Sequence, residues 1–267
     1  MPLISCAGLQ THYIAPKGLP QSSSGVVVLL VHGAGGSHRH WNPMLESWQT
    51  QQIRENFYPV ALDLPGHSET EGTVLESVEA EADFINSFLD ALEVKTPIAY
   101  VGHSAGGILG LQFALNYPKR VRRLTLIATS ACIQLHPDFL QQALSGQWDY
   151  DMMQQSFSAE VAPELKQLVL DELQSVRLAE QATDFMGLSQ CDLRDRLSEI
   201  HQPTLVITGD DDVIISPRKS RLLQQALPKA ELVMVKGAGH YVHVEQAESV
   251  TAALASFLQR ILVPVGA

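Results

Sequence analysis

The chain has 267 residues, 45% of them hydrophobic and 18% charged, which is the composition of a globular protein with one large core. A net charge of −11 at pH 7 argues against nucleic acids and anionic membranes as partners. Three cysteines are too few for a disulfide framework, and the first residues show no secretion signal, so we expect a cytoplasmic protein.

Short apolar runs along the chain predict strands. Leu3–Cys6 and Thr11–Ile14 flank a turn and predict an N-terminal hairpin, and Val26–Val31 follows them. This third run is far shorter than the roughly 20 residues that span a bilayer. The later runs are Tyr58–Leu62, Pro97–Val101, Leu124–Ala128, Leu205–Thr208 and Leu232–Val235. Most runs are apolar throughout, which is typical of strands covered on both faces.

Apolar residues recur at helical spacing between these runs, which predicts helices. One stripe precedes the run Pro97–Val101, and another lies near the C-terminus. Their members are Leu75, Val78, Ala82, Ile85, Phe88, Leu89 and Leu92, and then Val250, Leu254, Phe257, Leu258 and Ile261. The alternation of strands and helices predicts an α/β fold with a mostly parallel sheet.

The stretch Ser130–Gln202 breaks this alternation, because it has no clear strand and its apolar residues keep helical spacing. Pro163 followed by Glu164 predicts a helix start there. We therefore expect one domain over residues 1–267, with a helical cap inserted at about 131–202. Such a cap shapes a pocket and excludes water. Its candidate pocket residues are Phe139, Leu140, Leu144, Trp148, Met152, Met153 and Phe157. Helix packing is the alternative role for each of them.

The most specific motif is Gly102-His103-Ser104-Ala105-Gly106, which follows the run Pro97–Val101 and opens a helical stretch. A G-x-S-x-G sequence between a strand and a helix predicts a sharp turn that exposes the serine hydroxyl. The free N–H groups at the start of that helix face the place where negative charge develops during acyl transfer. Ser104 is therefore the candidate nucleophile, and a buried serine in a glycine-rich turn is the alternative.

A serine nucleophile needs an imidazole to take its proton and a carboxylate to orient that imidazole. On a doubly wound sheet the order along the chain is serine, acid, histidine, each on a loop after a strand. Gly209-Asp210-Asp211-Asp212 follows the run Leu205–Thr208, and His240 ends the glycine-rich loop after Leu232–Val235. His240 is therefore the candidate base.

Three adjacent aspartates compete for the role of the acid. At most one of them can orient His240, and Asp212 lies furthest past the strand end. We expect Asp212 to be the acid, with Asp211 as the alternative. Among the other histidines, we expect His103 to turn away from the nucleophile and His243 to anchor the last helix. Surface or packing roles are expected for His12, His38, His40, His136 and His201.

Acyl transfer also needs two backbone N–H groups aimed at the carbonyl oxygen. The amide of Ala105, just after the nucleophile, is one candidate. The second is Ala34, because the small residues of His32-Gly33-Ala34-Gly35-Gly36 let the backbone approach a substrate closely. This loop lacks the spacing of a phosphate-binding loop, and no set of Cys, His and carboxylate residues has metal-ligand spacing. We therefore expect neither a cofactor nor a metal.

In these motifs the chain resembles the α/β-hydrolase family along nearly its whole length. The matching segments are His32-Gly33-Ala34-Gly35-Gly36, Asp63-Leu64-Pro65-Gly66-His67, Gly102-His103-Ser104-Ala105-Gly106-Gly107, Gly209-Asp210-Asp211-Asp212 and Gly239-His240. The resemblance implies a doubly wound, mostly parallel eight-stranded sheet with helices on both faces, a small helical cap and no cofactor. It also implies a set of catalytic side chains and backbone donors. These are Ser104, Asp212 and His240, with Ala34 and Ala105 as the oxyanion donors.

Two departures from the family pattern bear on these assignments. Asp212 is followed by Val213-Ile214-Ile215-Ser216-Pro217, one residue longer than the usual spacing to proline, and this keeps Asp211 as an alternative. Ser68 and Thr70 replace a glycine and a serine of the family pattern, which alters a surface loop. A serine at the elbow, in place of an aspartate, argues against the dehalogenase and epoxide-hydrolase branches.

We expect a serine hydrolase that cleaves a small-molecule carboxylic ester, or a thioester, through an acyl-enzyme intermediate, in the manner of a carboxylesterase. The same residues would also serve a C–C bond hydrolase, a lyase or an acyltransferase. A non-catalytic small-molecule sensor is an alternative of a different class. The substrate and the oligomeric state are left open by the sequence.

Overall fold

A computed structural model describes residues 2–22, 24–51, 53, 55–133, 141–142, 145 and 150–260. Its strands are β1 (Leu3–Cys6), β2 (Leu9–Ile14), β3 (Val26–Val31), β4 (Phe57–Leu62), β5 (Ile98–His103), β6 (Val121–Ile127), β7 (Thr204–Gly209) and β8 (Ala230–Val235). They form an eight-stranded sheet in the order β1-β2-β4-β3-β5-β6-β7-β8. The pairs β1–β2 and β2–β4 are antiparallel, and the others are parallel. The predicted mostly parallel eight-stranded sheet is confirmed.

The central strands are apolar throughout because both faces of the sheet are covered. Successive residues of β3 point to opposite faces of the sheet and enter two separate cores. Val27, Leu29 and Val31 enter one core, and Val26, Val28 and Leu30 enter the other. The fully buried strand thus follows from its unbroken apolar run.

Nine helices lie within the described residues. They are α1 (Asn42–Thr50), α2 (Val78–Ala91), α3 (Ala105–Asn116), α4 (Tyr150–Gln155), α5 (Pro163–Ser175), α6 (Leu178–Ser189), α7 (Pro217–Ala226), α8 (Val242–Glu245) and α9 (Ala247–Gln259). Two 3-10 helices cover His38–Trp41 and Arg194–Glu199. Helices α2 and α3 pack on one face of the sheet, and α1 and α9 pack on the other. No described helix is long and apolar enough to cross a membrane.

Six strands depart from their predicted bounds by one to three residues, and β6 departs furthest. The prediction for β6 was Leu124–Ala128, and the observed strand begins three residues earlier, at Val121, and ends at Ile127. Ala128 has a φ of 48°, a left-handed conformation that cannot continue an extended strand. The early residues were missed because Arg122 and Arg123 interrupt the apolar pattern by which the strand was identified.

The described part of the segment between β6 and β7 consists mainly of helices α4, α5 and α6. Helix α5 begins at Pro163, as the sequence predicts. Its Val169 and Leu173 form a small apolar cluster with Phe157 and with Tyr241 on the loop after β8. This inserted segment therefore contacts the sheet edge at which the carboxyl ends of the parallel strands lie.

Candidate active site

Ser104 lies at the turn between β5 and α3, in a strained backbone conformation. Its φ of 50° and ψ of −114° are rarely adopted by a residue with a side chain. Its N–H donates to the Ile127 carbonyl at 2.9 Å, and its own carbonyl accepts from Thr129 Oγ1 at 2.7 Å. The Gly107 N–H also donates to that carbonyl, at 2.9 Å. These hydrogen bonds fix the turn on both sides of the serine.

Glycines flank this turn because backbone atoms leave no room for a Cβ. A Cβ on Gly102 would collide with the backbone of Gly106. A Cβ on Gly106 would in turn collide with the carbonyl groups of Val31 and His32, at the end of β3. Helix α3 therefore starts directly against the neighbouring strand. The spacing of glycines in the G-x-S-x-G motif follows from this close packing.

Asp212 and His240 lie on the loops after β7 and β8, and a hydrogen bond joins them. His240 Nδ1 lies 3.0 Å from Asp212 Oδ2, and both side chains are buried. Asp212 Oδ1 accepts from the N–H groups of Ile214 and Ile215, each at 2.9 Å. The carboxylate is thus fixed by three donors. Because an ionised carboxylate only accepts, this contact assigns the proton of a neutral His240 to Nδ1 and leaves Nε2 as an acceptor.

The other two aspartates of the run point elsewhere. Both Asp210 and Asp211 are exposed, and Asp210 Oδ1 accepts from the Gly237 N–H at 2.7 Å. Their own N–H groups donate to the carbonyls of Val235 and Ala238, which extends the pairing of β7 with the chain after β8. Asp212 is therefore the member of the run that reaches His240.

The backbone of His240 is fixed from two directions. Its N–H donates to the Ser156 carbonyl at 2.6 Å, and its carbonyl accepts from His103 Nε2 at 3.0 Å. His103 thus turns toward the histidine loop, and burial, together with the charges of His243 and His240, holds its pKa well below the usual range. Among the described residues, no hydrogen bond joins Ser104 Oγ to His240 Nε2.

The amide of Ala34 lies on the loop after β3, and that of Ala105 is at the first residue of α3, just after the Ser104 turn; β3 and β5 are neighbours in the sheet. Neither N–H has an acceptor among the described residues. Both residues line one small cavity, of about 20 Å³. Free amides beside a cavity can stabilise negative charge on a bound oxygen.

His32 connects this loop to the loop after β4. The Leu64 N–H donates to His32 Nε2 at 3.1 Å, so that nitrogen carries no proton. The other ring nitrogen, Nδ1, then donates to the Gly33 carbonyl at 2.8 Å. Burial lowers the pKa of His32 to about 4, which is consistent with a neutral ring. The ring therefore orients the peptide that precedes Ala34.

The predicted cap residues have different outcomes. Phe139 and Trp148, like the side chain of Met152, lie outside the described residues. Phe157 stacks on Tyr241 at 5.0 Å between ring centroids, and Met153 packs against the same cluster. Neither lines the cavity at the free amides, to which α6 contributes Asp184, Gly187 and Leu188, three residues that the sequence reasoning missed.

A second buried set combines His12, His38 and Asp63, and it is the set of described residues that could hold a metal ion. The sequence spacing gave no sign of it, and the two histidines were expected only in surface or packing roles. Both Nδ1 atoms donate to Asp63 Oδ2, at 2.7 and 2.8 Å, and the His38 N–H donates to Oδ1 at 2.6 Å. Burial alone would raise the pKa of Asp63, but these hydrogen bonds hold it well below the usual range.

The remaining histidines also differ in burial. His40 and His243 are buried, and no hydrogen-bond partner for their ring nitrogens is found among the described residues. The His243 ring lies 4.7 Å from that of Trp41, so it packs α8 against the 3-10 helix His38–Trp41. His201 is exposed, and His136 lies outside the described residues.

Comparison with known proteins agrees with this architecture. Residues 28–254 match the pattern of the alpha/beta hydrolase family. The protein named carbamate hydrolase RutD of Agrobacterium fabrum is 27% identical over 248 residues, which cover 86% of this chain and 92% of that protein. The enol-lactonase of Burkholderia xenovorans LB400 superposes with a TM-score of 0.86 at 22% identity, covering 97% of this chain and 100% of that one. A thermophilic esterase of Thermogutta terrifontis gives a TM-score of 0.83 at 23% identity, covering 97% and 98%.

Proposed function

The chain belongs to the alpha/beta hydrolase family, and from that premise we propose that it hydrolyses a small-molecule carboxylic ester, or a thioester, through an acyl-enzyme intermediate. One observation carries the proposal. The hydrogen-bonded pair of Asp212 and His240 lies at the same sheet edge as the Ser104 turn, and the amides of Ala34 and Ala105 are free there. Nucleophile, base, acid and oxyanion donors thus have one candidate each.

In the proposed mechanism, Ser104 Oγ attacks the substrate carbonyl while His240 Nε2 takes the proton of the hydroxyl. The negative charge of Asp212 stabilises the imidazolium that forms. The N–H groups of Ala34 and Ala105 donate to the oxyanion of the tetrahedral intermediate. His240 then protonates the leaving alcohol or thiol, and it activates the water that releases the acyl group. The missing bond between Ser104 and His240 does not oppose this scheme, since such contacts commonly tighten only with substrate bound.

A carbamate is the second candidate substrate, because the relative from Agrobacterium fabrum is named as a carbamate hydrolase. A carbamate, a lactone and an ester share a carbonyl carbon bonded to a heteroatom. The same nucleophile and oxyanion donors therefore serve all three, and the groups around the carbonyl decide among them. C–C bond hydrolysis, lyase chemistry and acyl transfer need the same residues but a different acceptor or leaving group.

The test combines turnover with labelling of the nucleophile. We expect the purified protein to hydrolyse p-nitrophenyl esters and to react with a fluorophosphonate probe at Ser104. Ser104→Ala should lower kcat by about 10⁵- to 10⁶-fold and abolish labelling. Ser87→Ala, which removes an exposed hydroxyl on α2, is the matched control. Labelling that persists in Ser104→Ala, or unchanged turnover, would refute the assignment.

A substrate panel separates the alternatives. Matched ester, thioester, carbamate and lactone substrates should be compared by kcat/KM, with mass spectrometry of the quenched enzyme to detect the acyl group on Ser104. The proposal expects an ester or thioester to be fastest. If the carbamate has the highest kcat/KM, carbamate hydrolysis replaces ester hydrolysis as the proposed activity. Tight ligand binding without any turnover would replace hydrolysis with a sensor role.

A further inference from the structure

The loop that carries Ala34 is a tight turn. The Gly36 N–H donates to the Gly33 carbonyl at 3.0 Å and so closes a β-turn. Gly35 has a φ of 65°, whereas Ala34 does not have a positive φ, and this combination is that of a type II turn. The N–H of Gly35 belongs to the central peptide of the turn. Glycine takes negative φ as readily, so a type I turn, with that N–H on the opposite side, is also open to the backbone.

A carboxylate on α6 holds the central peptide of this turn. Asp184 Oδ2 accepts from the Gly35 N–H at 2.9 Å. In a type I turn that N–H would point away from Asp184, and the Ala34 carbonyl would face the carboxylate instead. Repulsion between the carbonyl and carboxylate oxygens opposes that arrangement. The hydrogen bond from Gly35 therefore selects the observed turn over its alternative.

Ala34 is consequently fixed on both sides. The peptide before it is held by His32 Nδ1, which donates to the Gly33 carbonyl at 2.8 Å. The peptide after it is held by Asp184. Because the two planar peptides determine the backbone dihedral angles of Ala34 between them, the direction of its free N–H is determined as well. A donor stabilises an oxyanion over about 2.7 to 3.1 Å, so even a small displacement of this N–H weakens the interaction.

His67 neutralises the charge that Asp184 brings close to the free amides. Its Nε2 lies 3.0 Å from Asp184 Oδ2, and its Nδ1 lies 3.1 Å from the Pro65 carbonyl oxygen. Both partners only accept, so both ring nitrogens carry a proton and the ring is a cation. Burial opposes a charged ring, but the charge of Asp184 and the hydrogen bond to it outweigh burial and raise the pKa of His67 to about 9. The ion pair thus offers Gly35 an acceptor without a net charge that would repel an oxyanion.

Resting on the proposed function, we propose that Asp184 is a positioning residue for ester hydrolysis, which holds the Ala34 N–H in place for the oxyanion by binding the Gly35 N–H. It acts through the turn and does not touch the substrate. Helix α6 of the inserted segment thereby contributes to the oxyanion site, although both proposed donors lie on other elements.

The first test removes the acceptor of the Gly35 N–H. Asp184→Ala should lower kcat on a p-nitrophenyl ester about 10- to 100-fold, because loss of a whole oxyanion donor costs about 10²- to 10³-fold and here the donor is only displaced. KM should change little, so that kcat and kcat/KM fall together, as they do when an interaction of the transition state is lost. Labelling of Ser104 by the fluorophosphonate probe should slow as well. An unchanged kcat, or a rise in KM alone, overturns the positioning role.

Two further variants separate positioning of the turn from attachment of α6. Asp184→Asn keeps a carbonyl oxygen for the Gly35 N–H and should keep most of the native kcat. Glu180 is a second buried carboxylate on α6, and its Oε2 accepts from the Val74 N–H at 2.8 Å, between β4 and α2. Glu180→Ala should therefore lower the Tm but keep the native kcat, measured well below the Tm of each variant. A loss of kcat in Glu180→Ala equal to that in Asp184→Ala, or no rescue by Asp184→Asn, overturns the proposal.

The native enzyme separates this inference from its premise. If the native enzyme hydrolyses p-nitrophenyl esters and Asp184→Ala is equally active, the positioning role is refuted and the proposed hydrolysis stands. If the native enzyme hydrolyses no p-nitrophenyl ester and Ser104 resists the fluorophosphonate probe, the proposed function fails and the positioning role fails with it.

Discussion

Two buried carboxylates flank the proposed site, and they differ in how many donors meet them. Asp212 accepts three hydrogen bonds, from the N–H groups of Ile214 and Ile215 and from His240 Nδ1. Glu81 accepts one, from the Leu75 N–H, and its second oxygen has no partner in the described part of the chain. Both side chains belong to loops or helices that surround the carboxyl ends of the strands.

The difference indicates separate roles. A buried carboxylate whose lone pairs all meet donors is fixed in position and suits the task of orienting another group. A buried carboxylate with a free oxygen lowers stability until it is protonated or a donor arrives. We therefore attribute the orientation of His240 to Asp212, whereas Glu81 makes the stability of the fold depend on pH.

The largest effect is expected for Asp212, the carboxylate that accepts three hydrogen bonds. Asp212→Asn should lower kcat by up to about 10⁴-fold, because the amide no longer stabilises the imidazolium of His240. Steady-state kinetics on a p-nitrophenyl ester measure this, and the melting temperature verifies folding. The exposed neighbour Asp211 is the control, and Asp211→Asn should keep most of the activity. A larger loss for Asp211→Asn would reverse the assignment of the acid.

Asp63 is a third buried carboxylate, and its test concerns stability and not catalysis. Asp63 accepts hydrogen bonds from His12 and His38, so Asp63→Asn should lower the free energy of unfolding by about 3 to 5 kcal/mol at pH 7. Because its pKa is lowered in the fold, this contribution is present above the unfolded pKa of about 4 and is lost as the pH falls below it. Urea unfolding at pH 7 and pH 3 should show the difference between native and variant shrinking. A constant difference would contradict this account.

Glu81, whose second oxygen has no donor among the described residues, should show the opposite pH dependence of stability. Glu81 has a pKa raised to about 8, so the fold binds its proton more tightly than the unfolded chain, and stability falls as the pH rises from about 4.3 toward 8. Glu81→Gln cannot ionise. Between pH 5 and pH 8 the native protein should therefore lose about 3 kcal/mol of unfolding free energy that Glu81→Gln keeps. The difference between their Tm values should change by roughly 6 to 12 °C over this pH range.

Calorimetry or a thermal fluorescence scan at the two pH values measures this change. Glu79→Gln, which is exposed on the same helix, should stay within about 0.5 kcal/mol of the native protein at both. A Tm difference for Glu81→Gln that does not depend on pH would show that the carboxyl group finds a partner in solution and would remove the contrast with Asp212.

Much of this architecture is encoded locally and could be predicted. The apolar runs of the central strands, the glycines around Ser104 and the helix start at Pro163 each act over a few residues. The mostly parallel sheet follows from their alternation. The spacing of the three aspartates does not by itself select Asp212 over Asp211, because the selection depends on the turn that brings two amides back onto the carboxylate.

The cavity beside Ala34 and Ala105 could not be predicted, because its groups come from distant parts of the chain. Glu81 lies within the apolar stripe of α2, three residues after Val78 and four before Ile85, and an acidic residue in such a stripe is a usable signal. Its neighbours Asp184 and His67 lie on other elements, so their charges cannot be combined from spacing alone. The same holds for the buried set around Asp63, which joins β2, the end of β4 and the 3-10 helix His38–Trp41.

One backbone contact joins the segment between β6 and β7 to the loop that carries the proposed base. The His240 N–H donates to the carbonyl of Ser156, which lies just after α4, and a Cβ on Gly239 would strike that same carbonyl. The position of the proposed base therefore depends on the peptide that follows α4 as well as on Asp212, on the loop after β7. A substitution that displaces the end of α4 would act on the imidazole without touching any of the three side chains proposed for catalysis.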